Sequence, residues 1–297
     1  MQLSHLLILL LLNVFWAGSY TAYKVLSDQM EPGVVVTFRY ALSALMLLPF
    51  WGRFRGASPV GSDWWKIAVM GIVVFCIGPR LQFLGVSLGK AGDASLLMAL
   101  EPLITAVAAA IFLKEHIPTR RIAGSLLGVA GVAILARFWR ADFQMAGLAA
   151  NFIFIASFLC EVFYSIMGKP ILERVGVLKV VTASLGFGSL ANLLLNGAAT
   201  WHAIPLVTPS QWWILLYLSL LLTVIGYTFW FVVIAKTPVN IAILTIFAQP
   251  VCGLAFAVLI LHEPLHAGHF WGSLTIVAGL ILGLNVRSSS KPPPVAA

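Results

Sequence analysis

The chain has 297 residues, 61% of them hydrophobic and 9% charged, with a mean hydropathy of +0.99 and a formal net charge of +8. A soluble domain carries roughly 25% charged residues, so this composition excludes a water-soluble fold, which has no means of enclosing so much apolar surface. The basic excess does not point to nucleic acid: most of the Lys and Arg residues stand in short separators between apolar runs, where they orient a membrane protein.

Apolar runs of about 20 residues, the length of a bilayer-crossing helix, recur along the whole chain. Such runs are helices, because in lipid every backbone polar group must be satisfied internally. Ten spans are predicted, at 5–25, 32–51, 64–87, 92–113, 119–137, 145–167, 177–198, 211–234, 239–261 and 267–286. The fold class expected is therefore an all-α integral membrane protein. The first run lacks a basic leading segment and exceeds the apolar core of a secretion signal, so it is read as a retained span. Asn13 and Trp16 stand i, i+3 on it. Span two carries Arg39, read mainly as a structural or snorkelling cation. In span three Phe75, Gly78 and Gln82 share a face, and Arg80 follows a Gly78-Pro79 kink. Arg80 can take a substrate carboxylate in a two-point grip or pair structurally.

Span four holds Glu101-Pro102, and span nine holds Gln249-Pro250. Each lies about nine residues into its span, roughly 13 Å deep. Each proline leaves upstream carbonyls without a donor. Ionisable residues inside spans are functional candidates by default. Glu101 is read as a site for a substrate amine or a proton; the alternative is that Glu101 and Gln249 bond to neighbouring helices and fix kinks. Span six carries Glu161, with Tyr164 at i+3. Glu161 is either a proton or cavity-mouth site or the ion-pair partner of Lys169 or another cytoplasm-side base. In span eight Thr223, Gly226 and Trp230 correspond to the marked face of span three, with Tyr227 beside them. Gly124-xxx-Gly128 and Gly279-xxx-Gly283 permit close helix contact in spans five and ten. Glu115 and Glu263 are read as caps or interfacial pairs. His262, His266 and His269 crowd one loop, without the convergence a metal site needs. Cys76, Cys160 and Cys252 are read as small buried hydrophobes. No cofactor or metal is expected.

The chain also repeats itself. An offset of 148 residues carries Trp64-Trp65 onto Trp212-Trp213, Gly78 onto Gly226, Glu101-Pro102 onto Gln249-Pro250, Glu115 onto Glu263 and Gly124 onto Gly272. The expected division is one five-helix repeat at 1–138, a second at 144–287, and a disordered tail at 288–297. Five spans per repeat is odd, so the second repeat enters the membrane upside down, as in carriers with a midplane site between inverted repeats. With a cytoplasmic N-terminus, twelve of the separator Lys and Arg residues face inward and four outward, which favours both termini inside.

The residues "FWAGSYTAYKVL" in span one, "FRYALSALMLL" in span two and "ALEPLITAVAAAIFLKEHIPTRRIAGSLLGVAGVAIL" across spans four and five, with the echo of this last pattern in spans nine and ten, carry a family pattern. The chain resembles the drug/metabolite transporter superfamily in its EamA branch. The resemblance implies a bacterial inner-membrane carrier with a central cavity lined by spans 1, 3, 4, 6, 8 and 9, and an exporter of amino acids or other small metabolites. Span six departs from the family's Trp-Gly turn, reading Cys160-Glu161-Val162, so its chemistry is not carried over.

The expected function is secondary active export of a small metabolite such as an amino acid, by alternating access. The expected partners are a small-molecule substrate and membrane lipid. The expected site comprises Asn13, Trp16, Arg80, Gln82, Glu101, Glu161, Tyr164, Tyr227, Trp230 and Gln249. The alternative is a facilitative exchanger of phosphorylated or nucleotide-linked sugars, which a midplane carboxylate opposes. A membrane enzyme would need paired catalytic groups at one depth, and a membrane scaffold would have no wet cavity.

Overall fold

The structure is a computed structural model that describes residues 2–27, 29–88, 101–135, 137–139, 148–249, 251–252, 255 and 267–284. Among these residues every regular element is helical and no strand occurs. The elements are α1 (Leu3–Ala17), α2 (Ser19–Ser27), α3 (Pro32–Leu47), α4 (Asp63–Ile72), α5 (Gly78–Leu88), α6 (Glu101–Phe112), α7 (Thr119–Leu135), α8 (Leu148–Leu172), α9 (Val177–Ala203), α10 (Pro209–Leu216), α11 (Gly226–Ile234), α12 (Val239–Ala242) and α13 (Ala267–Leu284). Six of the described helical runs are long and apolar enough to cross a membrane: Pro32–Arg53, Asp63–Leu84, Phe152–Leu172, Val177–Leu206, Pro209–Ile234 and Ala267–Leu284. Leu3–Ala17 and Glu101–Phe112 are shorter apolar helices. Residues 92–100, Pro250, Glu263, His262, His266 and the tail, all marked in the sequence reading, lie outside the described residues.

Helix starts follow local chemistry. Pro32 opens α3, where its missing N–H has no partner to lose. Thr208 and Gln211 form a reciprocal capping box at the head of α10, with Pro209 in its first turn.

Two predicted spans are continuous in sequence yet change winding midway. A π-helical stretch at Val73–Ile77 joins α4 to α5, and another at Tyr217–Ile225 joins α10 to α11. Both end at the repeat-related glycines Gly78 and Gly226. A π turn loosens the regular carbonyl ladder, and side chains from neighbouring helices bond to carbonyls in both stretches. Asn192 donates to the Phe75 carbonyl at 2.7 Å, Ser43 to that of Ser219 at 3.0 Å, and Trp16 Nε1 to that of Leu222 at 3.0 Å. In lipid, where no water can stand in, such donors are required.

Packing across the two halves comes in matched pairs. α3 packs on α9, its counterpart under the 148-residue offset, and α7 packs on its counterpart α13. A Cβ on Gly124 would lie 2.7 Å from the Gly279 carbonyl oxygen, and one on Gly279 would lie 2.7 Å from that of Gly124. Only glycine allows this approach. α5 packs on α8 and α1 on α11, so each half lends a helix to the other.

The core is aromatic. Phe75 stands 4.8 Å from Tyr227 and 5.2 Å from Tyr164, and Tyr164 stacks on Phe231 at 4.6 Å between centroids. Large apolar side chains such as Leu194, Trp213 and Phe112 face outward with at least 70% of their surface exposed. An exterior of this kind suits lipid and would drive aggregation in water.

Candidate functional site

A cavity of about 110 Å³ opens between α1, α2, α3, α5, α6, α8, α11 and the 3₁₀ stretch Ile243–Phe247. Its wall contains Trp16, Gln82, Glu101, Glu161, Tyr227, Trp230 and Gln249 from the predicted set. It also contains Tyr23, Arg39, Tyr40, Thr105, Ser157 and Ser165, which were not predicted.

The remaining predicted residues are not part of this wall. Asn13 is fully buried and donates to the Leu9 carbonyl at 2.7 Å and to Thr245 Oγ1 at 3.0 Å. Its side-chain oxygen accepts from Gln249 Nε2 at 2.8 Å. Tyr164 bonds Ser184 at 3.0 Å and packs against Tyr227. Arg80 donates twice to Asn192 Oδ1, at 2.9 and 3.2 Å, and Asn192 in turn ties down the π stretch at Phe75.

Arg39 occupies the place in the wall that the sequence reading offered to Arg80. It is 6% exposed. Its Nε donates to Thr223 Oγ1 at 2.8 Å, and one terminal nitrogen donates to the Tyr23 hydroxyl. The guanidinium also lies over the rings of Tyr40, at 5.0 Å, and Tyr23, at 5.7 Å. Thr223 hydrogen-bonds the Leu218 carbonyl at 2.9 Å, so a lone pair is turned toward Arg39. The signal available in the sequence was depth: Arg39 is the eighth residue of α3, about 10 Å along the helix, too far in for easy snorkelling.

Two carboxylates face the same space. Glu161 accepts from the Tyr227 hydroxyl at 2.9 and 3.2 Å. It has no bond to Lys169, which pairs with Glu115 at 2.5 Å. Glu101 is 7% exposed and has no hydrogen-bond donor among the described residues. A buried carboxylate in this condition must take a proton or meet a cation. Thr105, one turn further along α6, is fully buried and its hydroxyl has no partner among the described residues. Trp16 and Trp230 complete the wall. Their rings meet edge to face at 6.1 Å, with both indole nitrogens bonded, to the Leu222 carbonyl and to Ser165.

Glu115 takes the capping role read for it. Its carboxylate accepts from the backbone N–H groups of Val239 and Asn240 at 2.9 and 3.0 Å and from Asn240 Nδ2 at 2.7 Å. Among the described residues, no group of three His, Cys, Asp or Glu side chains is placed to hold a metal.

The arrangement can hold a small molecule with both a positive and a negative end, in a space walled by aromatic rings. Known proteins agree at the level of class. The chain is 26% identical over 288 residues to the "probable terminal-alkyne amino-acid exporter" of Streptantibioticus cattleyicolor, covering 95% of this chain and 94% of that one. It is also 26% identical over 297 residues to the "probable amino-acid metabolite efflux pump" of Escherichia coli, covering 95% and 96%. A solved crystal structure at 19% identity superposes with a TM-score of 0.75 over 95% of this chain and 98% of that one, a likeness of fold alone. The model of the EamA-like transporter family matches residues 3–137 and again 148–284. With both halves matched and a helical, lipid-facing architecture around a central cavity, this multi-pass membrane transporter belongs to the EamA-like transporter family.

Proposed function

We propose that the protein is a secondary carrier that exports a small zwitterionic metabolite, such as an amino acid, across a bacterial cytoplasmic membrane. On this reading ten spans form two inverted five-helix repeats with both termini cytoplasmic, and the repeats rock about the cavity. The observation that carries the proposal is the presence of opposite charges in one cavity wall: the Arg39 guanidinium together with the Glu101 and Glu161 carboxylates. A guanidinium has five N–H donors. Thr223 and Tyr23 take two, which leaves donors for a substrate carboxylate. The carboxylates suit a substrate ammonium. The names of the two amino-acid-exporting relatives support the same class. Exchange of phosphorylated sugars is disfavoured, because two carboxylates confront the lone guanidinium of the wall.

The test is counterflow of labelled amino acids in proteoliposomes. Uptake by the wild type, abolished in Arg39→Gln and strongly reduced in Glu101→Gln, is the expected result. Counterflow of sugar phosphates without amino acids would end the proposal.

A further inference from the structure

The cavity wall around Glu101 holds oxygens that no other described residue uses. Glu101 and Thr105 stand i, i+4 on α6, which places them side by side on one helix face. Among the described residues Glu101 lacks a donor and the Thr105 hydroxyl, fully buried, has no partner. Elsewhere in the molecule Thr37, Ser43, Thr200 and Ser219 all bond back to the carbonyl one turn earlier. That is the usual fate of a hydroxyl inside a helix; Thr105, Thr182 and Thr228 depart from it, and of these three only Thr105 lines the cavity. The third oxygen belongs to Gln249, the repeat counterpart of Glu101. Because Gln249 Nε2 donates to Asn13, its amide oxygen is the atom left for the cavity. Asn13 is locked from the other side by its own bonds to the Leu9 carbonyl and Thr245, so this orientation is fixed.

We propose that Glu101, Thr105 and Gln249 form a three-acceptor cradle for a primary ammonium group, with Asn13 as the positioning residue that presents the Gln249 oxygen. The inference rests on the zwitterion reading and narrows it to substrates with an unsubstituted –NH₃⁺. Such a group has three N–H donors, which the three oxygens match. An aromatic cage for a trimethylammonium group is the competing use of the same cavity. The rings do not favour it: Trp16 and Trp230 meet edge to face, as do Trp16 and Tyr227, so neighbouring edges occupy ring faces a cage would need.

The experiment compares L-alanine, L-threonine and L-leucine with their N-methyl and N,N,N-trimethyl forms, as competitors of counterflow and as stabilisers of the purified full-length protein against heat. The expected result is a loss of apparent affinity of about tenfold or more in the N-methyl form, which has lost one N–H donor, and a further loss in the trimethyl form, which has none left for a charge-assisted hydrogen bond. Thr105→Val, which keeps the shape and removes the oxygen, should shrink the preference for the primary amine over its N-methyl form. It should leave the preference for the free acid over the methyl ester unchanged. Asn13→Leu should shrink the same amine preference by freeing the Gln249 amide. Equal binding of the primary and trimethylated forms overturns the cradle while leaving amino-acid export standing. Binding of none of the nine compounds, alongside transport of an unrelated metabolite, overturns both. The wild-type series needs no variant, so a misfolded substitution does not protect the idea.

Discussion

Arg39 shows how a single intramembrane charge is resolved. Removed from water, a guanidinium needs its donors met and its charge offset; Thr223 and Tyr23 take two of the donors and the two tyrosine rings lie against the charge, without a direct carboxylate bond and with donors left over. Lysine is a point charge on a flexible stem and cannot reproduce a fork that holds Thr223 while facing the cavity. Arg39→Lys is therefore expected to weaken amino-acid binding about tenfold or more, read as the shift in half-maximal concentration for thermal stabilisation. The two carboxylates predict a pH dependence whose sign follows from charge. Only the ionised form attracts an ammonium, so acidification removes the attraction and apparent affinity falls as pH is lowered. In Glu101→Gln the fall should be shallower, leaving the part due to Glu161. An affinity that rises toward acid in the wild type would contradict this. At this scale the sequence singled out Glu101 and Glu161, because an apolar run makes a carboxylate conspicuous; both stand in the cavity wall, Glu101 buried and Glu161 half-buried. It could not rank Arg39 above Arg80. Both are arginines in spans, and what separates them is Asn192, 112 residues from Arg80, which engages its side chain.

At the scale of elements, the repeat is written in backbone geometry as well as in residues. The π stretches at Val73–Ile77 and Tyr217–Ile225 end at glycines 148 residues apart, although the residues within them differ. The sequence marks a kink at Gly78-Pro79 in span three but not the π winding in either span, since a π turn leaves no compositional mark; it depends on donors such as Ser43, Asn192 and Trp16 arriving from other helices. The glycines of spans five and ten were legible, because small residues in an apolar helix have few other uses. Gly124→Leu would force α7 away from α13 at the point where the Gly279 carbonyl already touches the missing side chain. A cost of about 1–3 kcal/mol is expected from overpacking, visible as a lowered midpoint in thermal unfolding of the detergent-purified protein. An unchanged midpoint would show that the two helices separate freely.

At the scale of the molecule, two ion pairs among the described residues join the halves at the end where α8 finishes. Lys169 pairs with Glu115 at 2.5 Å, and Arg174 pairs with Asp63 at 2.5 Å. The first is the larger assembly, since Glu115 also accepts from the heads of Val239 and Asn240, and Arg121 reaches the Asn240 side chain. On the alternating-access reading, these contacts hold that end closed and part when it opens. Glu115→Gln keeps the shape, weakens acceptance by losing the charge, and leaves Lys169 without a counter-ion. Backbone amides 239–240 are then expected to exchange hydrogen faster than in the wild type, while those of α3 and α9 stay unchanged. Equal exchange at 239–240 would mean that the carboxylate is not what anchors α12.

The sequence by itself determined that the chain is helical, crosses a membrane, is built from two related halves and contains buried carboxylates. Those properties follow from composition, from run length and from an offset of constant register, all local or additive along the chain. Tertiary structure alone decided which charges share a cavity. Arg39, Glu101, Glu161 and Gln249 come from four different helical segments. Which way each faces is set by partners far away in sequence: Thr223 for Arg39, Tyr227 for Glu161 and Asn13 for Gln249. In a medium without water, a polar side chain turns to whichever partner packing brings within reach. No pattern along one helix records who that partner is.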